Sequence, residues 1–133
     1  MKRREFEQLV EEALQTIPQD FRDAIRNMAI VVEQEPSPAL LEEMEIDLPD
    51  TLLGLYQGTP LPERSWSESG SLPDRVTLFQ GPIEDVADGD PDAIICEIGE
   101  TLIHEIGHYF GLSEEEREAI EDQYWRDADI DNR

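Results

Sequence analysis

Thr101-Leu102-Ile103-His104-Glu105-Ile106-Gly107-His108-Tyr109-Phe110-Gly111-Leu112-Ser113-Glu114 is the stretch on which the reading of this chain turns. Upstream of it and into it, Ile94, Ile95, Ile98, Leu102 and Ile106 recur at helical spacing and keep one stripe apolar. That spacing predicts a long helix over about Pro91 to Phe110. Gly111 stands where a left-handed residue ends a helix at no steric cost. Ser113, with Glu116 three residues on, matches a capping box and opens a last helix from Glu114 to about Trp125.

On such a helix His104 and His108 lie one turn apart on one face, so both rings can point at a common centre. Neutral imidazole is a good zinc ligand. Glu105 is rotated about 100° from His104 around the helix and can sit beside a metal. There it could accept a proton from metal-bound water, whose pKa zinc lowers to about 7. The two histidines are the only ones in the chain, and the segment around them is mostly apolar. A catalytic zinc keeps one position for water and needs a third protein ligand. Gly111 lets the chain turn sharply, so that Glu114 could fold back to the metal. Glu115 and Glu118 are the nearest rivals. All three acidic residues from Glu114 to Glu116 would also suit the first turn of a helix, where carboxylates complement the dipole.

The chain has 133 residues, a length that fits one domain and can bury a core without disulfides. Cys96 is the single cysteine, so no intramolecular disulfide is possible; it reads as a core residue. The formal net charge is -23, with Lys2 the only lysine. Such a surface repels nucleic-acid phosphate and anionic lipid, and attracts cationic substrates or partners. It also serves simply to keep a protein soluble. Basic residues at Lys2, Arg3 and Arg4 are not followed by an apolar core, so no secretory signal is expected. The apolar runs are too short to span a membrane. A cytoplasmic location is the expectation.

Before the motif, residues 3 to 17 are predicted to form an amphipathic helix with Phe6, Leu9, Val10, Ala13, Leu14 and Ile17 on one face. Pro18 closes it and opens a short second helix through Phe21 and Ile25. Met28 to Glu33 reads as a strand. Ser37 caps a helix with Pro38 at its first position. Thr51 to Tyr56 and Arg75 to Phe79 read as two more strands, and Pro82 to Ala87 as a short helix. The order α-α-β-α-β-loop-β-α-α-α predicts an α+β fold, with a short mixed sheet packed on helices. Residues 57 to 74 are the one long irregular segment. They carry Arg64 and Trp66, groups suited to gripping a substrate, and read as a lid over the site or as a surface insertion.

The sequence resembles the small bacterial zincin-like metallopeptidases, single-domain proteins of about this length. Phe6 to Leu14, Leu53 to Leu61, Leu72 to Phe79 and the His104 to Gly111 core carry the resemblance. It implies a zincin-like α+β fold over residues 1–133 and a metal at His104 and His108. Members of that family usually have Asp where this chain has Glu114. The likeness to the larger metzincins is partial, because Met1, Met28 and Met44 all precede the motif and no methionine turn follows it.

Three further readings accompany the motif. Glu97, Glu100 or Thr101 could orient an imidazole N–H, although solvated side chains are the default there. Tyr109 could donate to a developing oxyanion or pack; Arg64 could do the same, bind a substrate carboxylate, or pair with one of the many carboxylates. The expected function is zinc-dependent hydrolysis of a peptide or other amide, the competing one a non-catalytic zinc-stabilised domain that binds a partner through its acidic surface. An open metal position with an essential Glu105 marks the enzyme, and a closed four-ligand site marks the structural domain.

Overall fold

Phe6, Val10 and Ala13 are spaced by four and three residues, and all three are buried on one side of helix α1, Arg3–Leu14. This apolar stripe is what fastens the helix, since a helix this short is marginal alone. The structure, a computed structural model, describes residues 1–63 and 74–131. After α1 come α2 (Gln19–Ile25), β1 (Ala29–Glu33), α3 (Pro38–Glu43), β2 (Gly54–Gln57), a single 3-10 turn at Leu61–Glu63, β3 (Arg75–Phe79), α4 (Gln80–Val86), α5 (Pro91–Phe110) and α6 (Glu114–Asp131). The fold is α+β, as expected. Among the described residues the sheet has three strands in the order β1-β3-β2. β1 runs parallel to β3, from Ala29↔Arg75 to Glu33↔Phe79. β2 runs antiparallel to β3, from Gly54↔Leu78 to Gln57↔Arg75. The sheet is therefore mixed.

β3 is the central strand, and Val76, Thr77, Leu78 and Phe79 are all buried. α5 is the central helix. Ile94, Ile98, Leu102, Ile103 and Ile106 are fully buried on it, and it packs on α1, α2, α4, α6 and both β2 and β3. Its start is set by Asp90, whose side chain accepts from the Asp92 N–H, followed by Pro91 in the first turn. Its end is set by Gly111, left-handed at φ 73 and ψ 26. A side chain at Gly111 would also strike the Pro62 ring, whose Cγ lies 2.6 Å from where a Cβ would stand. The 3-10 turn thus sits on the C-terminal end of α5.

Several boundaries differ from the sequence reading. α1 stops at Leu14, and Ile17 is buried from the turn that follows. β2 begins at Gly54, although the Leu53 carbonyl still accepts from the Phe79 N–H. α4 begins at Gln80, whose buried amide accepts from Arg3 Nε at 2.7 Å and donates to the Met1 carbonyl at 2.9 Å. α6 continues past Trp125 to Asp131, there being no glycine or proline to stop it. Cys96 is half-buried, not a core residue; it lines an apolar depression of about 910 Å³ between α5 and α6 that touches none of the motif residues.

Gly99 lets Tyr124 of α6 pack directly against α5. A Cβ there would stand 2.5 Å from Tyr124 Cζ. Tyr124 is held in place: Thr16 spends its proton on the Ala13 carbonyl, so the Tyr124 hydroxyl donates to Thr16 Oγ1 at 2.9 Å. Gly99→Ala would gain about 1 kcal/mol of helix propensity. The overlap with an immobile buried ring costs about 1–3 kcal/mol. A net loss of up to about 2 kcal/mol is expected, read as a lower denaturation midpoint in urea; a raised midpoint would show that Tyr124 has room to move.

Candidate metal centre

The site is built on the outward face of α5 where β2 crosses it. Gly54 makes the crossing possible, because a Cβ there would fall 2.6 Å from Thr101 Cγ2 and 3.0 Å from the Thr77 carbonyl. One turn beyond Thr101 stands Glu105. Its Oε1 accepts the Tyr56 N–H of β2 at 2.9 Å, and its side chain is only 12 % exposed. The other oxygen, Oε2, lies 3.8 Å from His104 Nε2. Burial pushes the Glu105 carboxyl above its ordinary pKa, while the Tyr56 N–H, His104 and Arg117 pull it back and Glu121 adds to the rise. A carboxylate raised in this way is closer to the working range of a general base.

His104 and His108 lie one turn apart, with ring centroids 5.2 Å from each other and ring planes tilted by 53°. Among the described residues, His104, Glu105 and His108 form a group in which one ligand atom from each lies within 4.8 Å of the others. All three stand on α5, where the sequence places them. Part-burial of its ring lowers the His108 pKa, and the Arg117 charge and His104 lower it further. The ring is thereby kept neutral, the form that ligates metal.

The other candidates fall in different places. Glu114 stands exposed in the first turn of α6 with Glu115 and Glu116, and Glu118 is exposed one turn later. None of them belongs to the three-residue group among the described residues. The capping box is formed as expected: Ser113 Oγ accepts the Glu116 N–H at 3.1 Å, and Glu116 Oε1 accepts the Ser113 N–H at 3.0 Å. Tyr109 packs edge-on against Tyr56 and Phe110. Arg64 and Trp66, with most of the segment read as a lid, lie outside the described residues; the described Leu61–Glu63 turn rests on the end of α5.

Two residues of the site escaped the sequence reading, and both come from α6. Glu121 Oε1 is 3.2 Å from His104 Nδ1. Arg117 lays its stem over Gly107, where a Cβ would stand 2.7 Å from both Cγ and Cδ, and its guanidinium meets His108 Nε2. The imidazole partner is thus not Glu97, Glu100 or Thr101; the Thr101 hydroxyl donates to the Glu97 carbonyl at 2.7 Å. A signal for these residues was present. Ile120, Tyr124 and Trp125 mark the inward stripe of α6, and Arg117 and Glu121 fall on that stripe at helical spacing. A cleft of about 280 Å³ opens beside His104 and Glu105, lined also by Gly54, Glu100, Thr101 and Glu121 among others; His108 does not line it.

A family model described as zincin-like metallopeptidase matches residues 25–124 of the chain. The chain belongs to that family. The matched span takes in the whole sheet, α5 with its histidines, and α6 as far as Tyr124, and leaves out α1. No curated protein matches the sequence. Membership brings with it the expectation of a metal, and the residues present suit one. Two imidazoles one turn apart on one helix are donors of the kind zinc takes, with the Glu105 carboxylate beside them. His108 Nε2 can serve only when the Arg117 guanidinium moves off it. Among the described residues, no helix is long and apolar enough to cross a membrane.

Proposed function

We propose that the chain is a zinc-dependent hydrolase of peptide or other amide bonds, with His104 and His108 as metal ligands and Glu105 as general base. The observation that carries this reading is the grouping of those three side chains on α5, one ligand atom of each within 4.8 Å of the others, with His104 and Glu105 at the wall of an open cleft. Glu114 is proposed as the third ligand from α6. Zinc, when bound, supplies a Lewis acid that polarises a carbonyl and acidifies water.

The chain's own residues divide the remaining work. Tyr56 fixes one oxygen of Glu105 through its N–H, which leaves Oε2, on the His104 side, to take a proton. Burial of Glu105 makes it a stronger base than a carboxylate in water, and the same carboxyl can return its proton to a leaving nitrogen. Gly54 holds β2 close enough for that contact. The acidic surface favours cationic peptides on approach.

Removal of the metal tests this directly. Zinc-loaded protein is expected to cleave at least one member of a peptide library enriched in Lys and Arg. Stoichiometric chelation should abolish the cleavage and added zinc should restore it. Cleavage that survives full removal of the metal would contradict the proposal, and a zinc-bound protein that cleaves nothing would favour a non-catalytic domain.

A further inference from the structure

We propose that Glu121 is the positioning residue of this site, holding His104 with its proton on Nδ1 so that Nε2 is left free for the metal. The proposal rests on the assignment of His104 as a ligand made above. Its basis is a juxtaposition of two helices. Glu121 Oε1 meets Nδ1 at 3.2 Å, while Nε2 of the same ring faces Glu105. A carboxylate can only accept, so the nitrogen it meets must carry the hydrogen. In a neutral ring the second nitrogen then keeps its lone pair, and which nitrogen binds metal is decided by the hydrogen bond of the other.

Glu121 is not a free surface carboxylate that happens to lie nearby. Its side chain is 12 % exposed, against 44 % for the imidazole that it meets. A carboxylate so enclosed is costly unless it is hydrogen-bonded. Its placement is fixed by anchors on both sides of it along α6. The Ser113–Glu116 box sets where the helix begins. One turn beyond Glu121, the Tyr124 ring occupies the space left by Gly99 and donates to Thr16. Glu121 is thereby presented to α5 by a helix that cannot easily rotate. Arg117, four residues earlier on the same stripe, lays its stem over Gly107 and brings its guanidinium to His108 Nε2.

Two variants and two readouts test this. Zinc affinity is measured by chelator competition, and the protonated nitrogen of His104 by proton–nitrogen NMR of protein labelled at its two histidines. Parent protein is expected to bind zinc and to show His104 protonated on Nδ1 with and without the metal. Glu121→Ala should lower zinc affinity about 10–100-fold and lose the Nδ1–H preference in metal-free protein. Glu121→Gln keeps an acceptor oxygen in the same place. It should keep the Nδ1–H form and lose less affinity than Glu121→Ala. If Glu121→Ala fails to fold, the parent and Glu121→Gln decide the matter alone. His104 of the parent protonated on Nε2 would overturn the proposal, as would a Glu121→Ala affinity equal to that of the parent. Glu121→Gln as weak as Glu121→Ala would also overturn it, by making Glu121 a ligand itself. A parent that binds no zinc would sink the metal assignment and this proposal with it, whereas zinc binding indifferent to Glu121 would sink the proposal alone.

Discussion

Glu105→Gln is expected to lower kcat/KM by about 10²–10⁴-fold, the usual worth of a positioned general base, while zinc content stays at the parent level. The substitution preserves shape. A glutamine carbonyl can still accept the Tyr56 N–H that now reaches Oε1 at 2.9 Å, so β2 should remain seated on α5. What is lost is the basic oxygen on the His104 side. Because that carboxyl is buried and its pKa is raised, replacing it with a neutral amide should not cost stability. Two measurements on the same sample check this, the rate on a cleaved peptide and the metal content. An unchanged rate would remove Glu105 as the base; a lost metal would make it a ligand instead.

Phe6→Ala should have the largest effect on stability, a loss of about 3–5 kcal/mol. Phe6 is fully buried, and α1 is packed along α5 together with Val10 and Ala13. Truncation to alanine removes the ring's burial and leaves a cavity that two helices cannot readily close. Urea denaturation should show a much lower midpoint with little change in slope. The consequence for the site is indirect. α5 is held from one side by α1 and from the other by α6, so loosening α1 should also weaken zinc binding, though less than loss of a ligand. A midpoint within a few tenths of a molar of the parent would mean that α1 contributes little to the fold.

The parts of this fold that were legible in the sequence are those where one local rule decides. α5 could be bounded at both ends because Pro91 can stand only in a first turn and Gly111 alone tolerates φ 73 cheaply. β3 was legible because Val76, Thr77, Leu78 and Phe79 are β-branched, apolar or aromatic residues in succession, as a central strand covered on both faces requires. His104, Glu105 and His108 were legible because their geometry is that of one helix. Glu121 and Arg117 were not, because their meaning depends on how α6 lies against α5, which Gly99 and Tyr124 decide across the interface. The end of α6 was missed because a charged helix held by its neighbour carries little periodic signal of its own. β2 started later than its apolar residues suggest, since Leu53 pairs through its carbonyl without taking strand geometry. Glu114 remains a proposal of the motif, exposed in the turn where a helix dipole would welcome it anyway.

Titration of metal-free protein with zinc tests the central claim most directly, with His104→Ala and His108→Ala titrated alongside the parent. The account predicts one tight site per chain in the parent and loss of that site in each variant, with folding otherwise intact. Tight stoichiometric zinc retained by both variants, or none bound by the parent, would contradict it.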